Sequence, residues 1–257
     1  MKWNSKITKV EPNHLLTRGY RQDDLIGNIS FSNVIYLLLK GNLPSVKHGK
    51  MIDAILTSCI DHGVTPPSAM ASRIVASGDV PLPTAVAAGI MSVGDAHGGA
   101  IEKGARFMQK SVKRMKDEGK NIVEMSKILV NEAREKHERI LGFGHRVHSK
   151  DPRAKKLFEL AEKYEIADKH VELAKEIEKQ LEKIVGKKLP VNVDGAISAI
   201  ISDMDFDWRL GKAFFIIGRI AGLTAHVYEE KTDFKPMRKM FKVDVGYDGA
   251  EEKGLPE

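Results

Sequence analysis

The sequence predicts an all-α chain. Apolar residues recur at spacings of three and four along most of its length, and the segments so marked mostly stop at glycine or proline. Two of them, "TAVAAGIMSVG" and "AFFIIGRIAGLTAH", are apolar almost all round and rich in small residues, as helices at the centre of a bundle are. In chain order, helices are expected over 24–41, ending at Gly41, and over 47–63, ending at Gly63. Residues 68–78 follow a Pro-Pro pair and stop at Gly78, and 83–94 start on Pro83 and stop at Gly94. The amphipathic stretches 101–120 and 121–140 follow, then 152–166 behind Asp151-Pro152, 170–188, the short apolar 197–204, and 208–231. With no repeat or low-complexity linker, 1–257 reads as one unit; the breaks near "GFGHRVHSKDP" and "GKKLPVNVDG" suggest a smaller helical subdomain of roughly 142–210 set into a larger one.

Composition narrows the function classes. The chain has 257 residues, 42% of them hydrophobic, enough for a buried core. Its net charge of +6 suits a polyanionic ligand, whereas the interspersed signs of "KSVKRMKDEGK" and "KEIEKQLEKIVGKK" are those of solvated helix faces and argue against nucleic acid. A single cysteine, Cys59, excludes a disulfide framework. The first residues lack the apolar run of a signal peptide, and no run approaches the roughly 20 apolar residues of a membrane span, so no membrane role and a cytoplasmic location are expected.

Four polar clusters sit between helices: "DHGVTPP" at 61–67, "GDAHGGA" at 94–100, "GFGHRVHSKDPR" at 142–153 and "PVNVDGA" at 190–196. Each offers a titratable side chain where glycine or proline lets backbone approach a ligand. In this order they resemble the active-site signature of the citrate synthase superfamily, as does the entry segment "LLTRGYRQDDLIG" with "FSNVIYLLLKGNLP". Full-length synthases have a long helical stretch between the counterparts of "KGNLP" and "DHG"; here one helix joins them. The short form is similar to stand-alone citryl-CoA lyases and to the C-terminal module of ATP-citrate lyase.

The resemblance implies a citrate synthase-like bundle, homodimeric or of higher order, acting on acetyl-CoA, oxaloacetate and citryl-CoA, with coenzyme A as the carrier of the substrate. Making or breaking a carbon–carbon bond beside a thioester needs a base at the methyl carbon, a donor to the enolate oxygen and an acid at the keto oxygen. The resemblance assigns these to Asp194, His97 and His145. Competing structural readings are a helix N-cap for Asp194 and a satisfied buried histidine for His97. His62, Arg153 and Arg219 fall on the family's polycarboxylate contacts. Arg219, in the apolar "FFIIGRIAGL", needs a partner in any case, and Asp203, Asp205 or Asp207 is the structural alternative. Where relatives bring an arginine from the second subunit, this chain has Lys235 before Pro236, with Arg238 as a possible substitute. Gly142, Phe143 and Gly144 would lie beside the coenzyme A nucleotide, and Arg146 and Lys150 near its phosphates, unless they are merely solvated.

Other signals fail. His145 and His148 lack a third ligand, "DMDFDW" has Trp208 where a calcium loop needs glycine, and there is no GxxxxGK[ST] loop, so neither metal nor nucleotide hydrolysis is expected. Activation of citrate would then fall to a separate citryl-CoA synthetase. Three functions stay open: a citryl-CoA lyase, favoured by the short chain; a compact citrate or 2-methylcitrate synthase; and a non-catalytic acyl-CoA-binding subunit, disfavoured because His97, His145 and Asp194 are all present.

Overall fold

The chain opens on strands. In the computed structural model, which describes residues 3–144, 151–186, 188–238, 246, 248, 249, 251, 252 and 254, Thr8–Glu11 (β1), His14–Thr17 (β2) and Tyr20–Arg21 (β3) form an antiparallel sheet in the order β1-β2-β3. Val10 faces Leu15 and Leu16 faces Arg21 in its register. Left-handed residues make the turns: Asn13 at φ 58°, then Arg18 at 50° and Gly19 at 89°. This sheet corrects the all-α expectation to a mostly helical fold. Strands of two to four residues are too short to show a period of two in the sequence.

The expected helix 24–41 is divided. Gln22–Leu25 (α1) ends before Gly27 at φ 81°, and Ser30 then starts Phe31–Lys40 (α2) by accepting the Asn33 amide at 3.3 Å. Val46–Cys59 (α3) is capped by Ser45, and Pro66 and Pro81 precede Pro67–Ala76 (α4) and Leu82–Met91 (α5). Ala100–Asp117 (α6) is followed by Ile122–Glu135 (α7), which begins with a full Asn121/Glu124 capping box. Pro152–Lys163 (α8), Lys169–Val185 (α9) and Val193–Asp203 (α10) come next, and a 3₁₀ turn, Trp208–Leu210, leads into Gly211–Asp233 (α11).

Two apolar clusters organise these helices. On α6, Ile101, Ala105, Met108, Val112 and Met115 are buried at alternating spacings of four and three. They join Met51 and Ile55 of α3, Leu173 and Ile177 of α9, Ile197 of α10 and Phe214 of α11 in the main core. A smaller cluster takes Ala69, Ala76, Ala85, Val86, Leu223 and Val227 from α4, α5 and α11, so α11 belongs to both. Its stretch Trp208–Asp233 is long and apolar enough to cross a membrane, contrary to the expectation that no run comes near. Arg219 is buried within it and Leu223 and Val227 face α4 and α5, as in the core helix of a bundle.

The head of α9 is capped from a distance. Asp168 makes no side-chain cap; the Asp203 carboxylate at the end of α10 accepts the amides of Asp168 (2.9 Å), His170 (3.0 Å) and Val171 (3.0 Å), and pairs with His170 Nδ1 at 2.7 Å.

Candidate active site

The start of α10 meets the "GFG" turn backbone to backbone. Asn192 caps α10 by accepting the Gly195 amide at 3.1 Å, while its own amide donates to Gly142 O (2.9 Å) and its Nδ2 to Gly144 O (2.8 Å). Gly144 N donates to Pro190 O at 2.7 Å, and Phe143 bridges Val191. A Cβ on Gly195 would lie 2.3 Å from Gly142 O, and Gly142 itself has φ 89°, so both positions require glycine.

Asp194 sits in the first turn of α10. The cap role belongs to Asn192, which leaves the Asp194 carboxylate unused by the helix. Burial, and to a lesser extent the charge of Asp151, push its pKa above the usual carboxylate value against the opposing pull of Arg153, Arg219 and His62. Those influences bring together, around one carboxylate, three of the side chains expected to hold polycarboxylates.

Asp151 organises one side of this group. As the N-cap of α8 it accepts Arg153 N (3.0 Å), and its oxygens hold Arg153 Nε (3.0 Å) and Nη2 (2.9 Å) in a fork. The oxygen on Nη2 also accepts the Val193 amide at 3.0 Å, tying α8 to the residue before Asp194. Burial alone would raise the Asp151 carboxyl, but these bonds hold it below its ordinary value. Arg219 forms the other side. Its Nε donates to Cys59 O at 2.9 Å and its guanidinium lies 4.6 Å over the Phe215 ring, with its pKa lowered by burial. Asp203, Asp205 and Asp207 do not hold it: they serve α9, Lys40 and Arg209 respectively. Among the described residues Arg219, although buried, has no carboxylate within salt-bridge distance.

His97 is set by its turn and by Ser68. Gly94 and His97 exchange backbone bonds of 2.9 and 3.1 Å, and His97 Nε2 is 2.8 Å from the Ser68 hydroxyl at the buried head of α4. The His97 ring meets Phe215 edge-on at 5.4 Å; burial, then the Arg219 charge, lower its pKa and favour the neutral imidazole. The Phe215 ring therefore lies against both the His97 imidazole and the Arg219 guanidinium.

The model of the citrate synthase C-terminal domain matches residues 45–240, three-quarters of the chain and all of this group. The chain belongs to the citrate synthase family. A member from Synechocystis sp., named citrate synthase, is 33% identical over 77% of this chain and 49% of its own length. An ATP-citrate synthase beta chain of Arabidopsis thaliana is 26% identical over 93% of this chain and 39% of its own. The chain thus spans half or less of the length of these curated relatives. Among solved structures, citryl-CoA lyase from Hydrogenobacter thermophilus is 46% identical, covers 99% of this chain with 97% of its own, and superposes with a TM-score of 0.91. Citrate synthase from Pyrobaculum aerophilum is 26% identical over 89% of this chain and 56% of its own, with a TM-score of 0.71.

The expected family residues do not all reach the site. The charges of His62, Arg153 and Arg219 all act on Asp194, and that of Arg219 acts on His97 as well. His145, Arg146 and Lys150 lie outside the described residues. Arg238 is held on its own chain: Nη1 donates to Glu230 at 2.5 Å, its guanidinium lies 4.0 Å from the Phe234 ring, and Met237 N donates to Ser77 O. Glu230 also takes Arg73 Nε at 2.7 Å. Glu230 is three turns of α11 beyond Arg219, about 16 Å along the helix, so Arg238 is not brought to the Asp194 group of the same chain. Lys235 is exposed. Sequence reading missed Ser68 and Asp151. An Asp before Pro at a helix start signals a cap, but nothing near Ser68 announces a histidine 29 residues away. Beside the "GFG" turn, a cavity of about 330 Å³ is lined by apolar Phe107, Ile140 and Leu141 and by charged residues of both signs, among them Lys103, Lys136 and Arg139 with Glu132 and Glu138.

Proposed function

We propose that this member of the citrate synthase family is a citryl-CoA lyase, cleaving (3S)-citryl-CoA to acetyl-CoA and oxaloacetate. The observation that carries the reading is the 46% identity to the Hydrogenobacter citryl-CoA lyase over nearly the whole of both chains. Arg153 and Arg219 bind the carboxylates of the oxaloacetate half. His145 takes the proton of the substrate hydroxyl; as the keto group forms, the carbon–carbon bond breaks and its electron pair passes into the acetyl-CoA enolate. His97 donates to the enolate oxygen, and Asp194 delivers a proton to the enolate carbon, completing the methyl group. A carboxyl whose pKa is raised by burial suits that step. In the reverse direction the Asp194 carboxylate removes the methyl proton.

The nucleotide end of coenzyme A is assigned to Gly142, Phe143 and Gly144, with Arg146 and Lys150 near its phosphates. The working form is a homodimer. Met70 and Ile74 on α4, Met91 on α5 and Ile220 and Tyr228 on α11 are exposed apolar residues on the three helices of the smaller cluster. The tail bearing Lys235 and Arg238 then completes the neighbour's carboxylate site.

The similarity to the Synechocystis citrate synthase supports a second reading, condensation followed by thioester hydrolysis. Supplying citryl-CoA, and separately acetyl-CoA with oxaloacetate, distinguishes the two. A lyase releases oxaloacetate from citryl-CoA without free thiol; a synthase releases thiol from both. Loss of neither substrate would leave the non-catalytic acyl-CoA-binding reading.

A further inference from the structure

We infer that His226 is a positioning residue for the carboxylate end of the substrate, acting through Asp61 on the turn that carries His62; this rests on the proposed dicarboxylate role of His62 and Arg219. His226 follows Arg219 by seven residues, so it lies on the same face of α11 two turns on, about 10 Å along the axis. On that face α11 grips the end of α3 and the following turn at three successive points. Arg219 Nε donates to Cys59 O at 2.9 Å; a Cβ on Gly222 would lie 2.2 Å from Ile60 O; His226 Nε2 is 2.9 Å from Asp61 Oδ1. The other oxygen of Asp61 accepts the Gly63 amide at 3.0 Å. One carboxylate thus joins α11 to the residue after His62.

The pairing fixes the imidazole as well. The Asp61 carboxylate only accepts, so Nε2 of His226 carries the proton and donates. Nδ1 is 3.9 Å from Glu229, so an acid flanks each ring nitrogen. The Gly63 amide and His226 hold the Asp61 carboxyl below its ordinary pKa although burial opposes them, which keeps the acceptor ionised. The His226 side chain is only 15% exposed, so it acts on ligand through the turn and not by contact. Arg219 and His226, anchored to one rigid helix, would set the spacing between two carboxylate contacts.

Initial-rate kinetics in the reverse direction, following citryl-CoA formed from acetyl-CoA and oxaloacetate, test the inference. His226→Ala is expected to raise KM for oxaloacetate about tenfold while KM for acetyl-CoA stays within about twofold. His226→Gln, whose amide can still donate to Asp61, recovers most of the loss. Equal changes in both KM values, or a Gln variant as impaired as Ala at an unchanged melting temperature, overturn the inference. Long-range ¹H–¹⁵N spectra of histidine-labelled protein test the coupling without turnover: the His62 ring signals should shift in His226→Ala and in Asp61→Asn and return in His226→Gln. A His62 that ignores both variants overturns it. A wild type that turns over neither citryl-CoA nor acetyl-CoA with oxaloacetate, while its His62 responds to His226, upholds the coupling and removes the proposed reaction instead.

Discussion

In the proposed reaction Asp194 is the residue on which both chemistry and stability turn. Asp194→Asn leaves the Asn192 cap in place but removes proton transfer, so kcat should fall by about 10²–10⁴. The variant should also be more stable at neutral pH. The folded-state pKa is raised, so between the unfolded value and the raised one the folded state binds more protons, and wild-type stability declines as pH rises through that window. The stability advantage of Asn should therefore vanish as pH drops below about 3.8, the unfolded carboxylate value, and melting curves across pH check this. Ser68→Ala removes the hydroxyl on His97 Nε2; a hydrogen bond of roughly 0.5–1.5 kcal/mol corresponds to a fall in kcat of about two- to twelvefold, with KM for oxaloacetate nearly unchanged. At this scale the sequence was legible where a buried charge needs a partner, as Arg219 does in its apolar helix. It was silent where two residues meet from distant parts of the chain: nothing local couples Asp61 to His226 across 165 positions.

At the scale of elements, the caps decide how firmly the site is framed. Asp203→Ala would orphan three amides at the head of α9 and the His170 ring, a loss of about 3 kcal/mol at a nearly fully buried carboxylate, expected to lower the melting temperature by roughly 6–12 °C. Calorimetry on the variant, with wild-type KM values as the control that the site stays intact, provides the measurement. Helix positions were readable because burial at spacings of three and four runs for several turns, as in α6, and because proline, serine and asparagine mark the starts. The three strands and the break at Gly27 were not readable. Two to four residues carry too little periodic signal, and the apolar run on either side of Gly27 continues the helical spacing that the chain interrupts.

For the whole molecule, the proposed dimer makes a sharp prediction. Asp194→Asn subunits mixed with subunits carrying Lys235→Ala and Arg238→Ala, each inactive alone, should regain roughly a quarter of wild-type activity once subunits exchange, since half the dimers are hybrid and each has one intact pocket. Confirmed exchange without recovered activity, or an active monomer by sedimentation, would rule out a shared site. The structure adds a condition the sequence could not supply. Arg238 is engaged by the buried Glu230, so the shape of the tail is set inside its own subunit before any partner is met.

The meeting of Gly142 with Gly195 carries a different kind of consequence. Two segments more than fifty residues apart touch through backbone alone, and neither has room for a methyl group. In a saturating mutational library both positions should be intolerant of every replacement, including alanine, and no second change at the other position can rescue the first, because glycine is already the smallest residue available to both. Random drift can rework the surface of α9 or the cap of α2 step by step, but it has no neutral path through this contact.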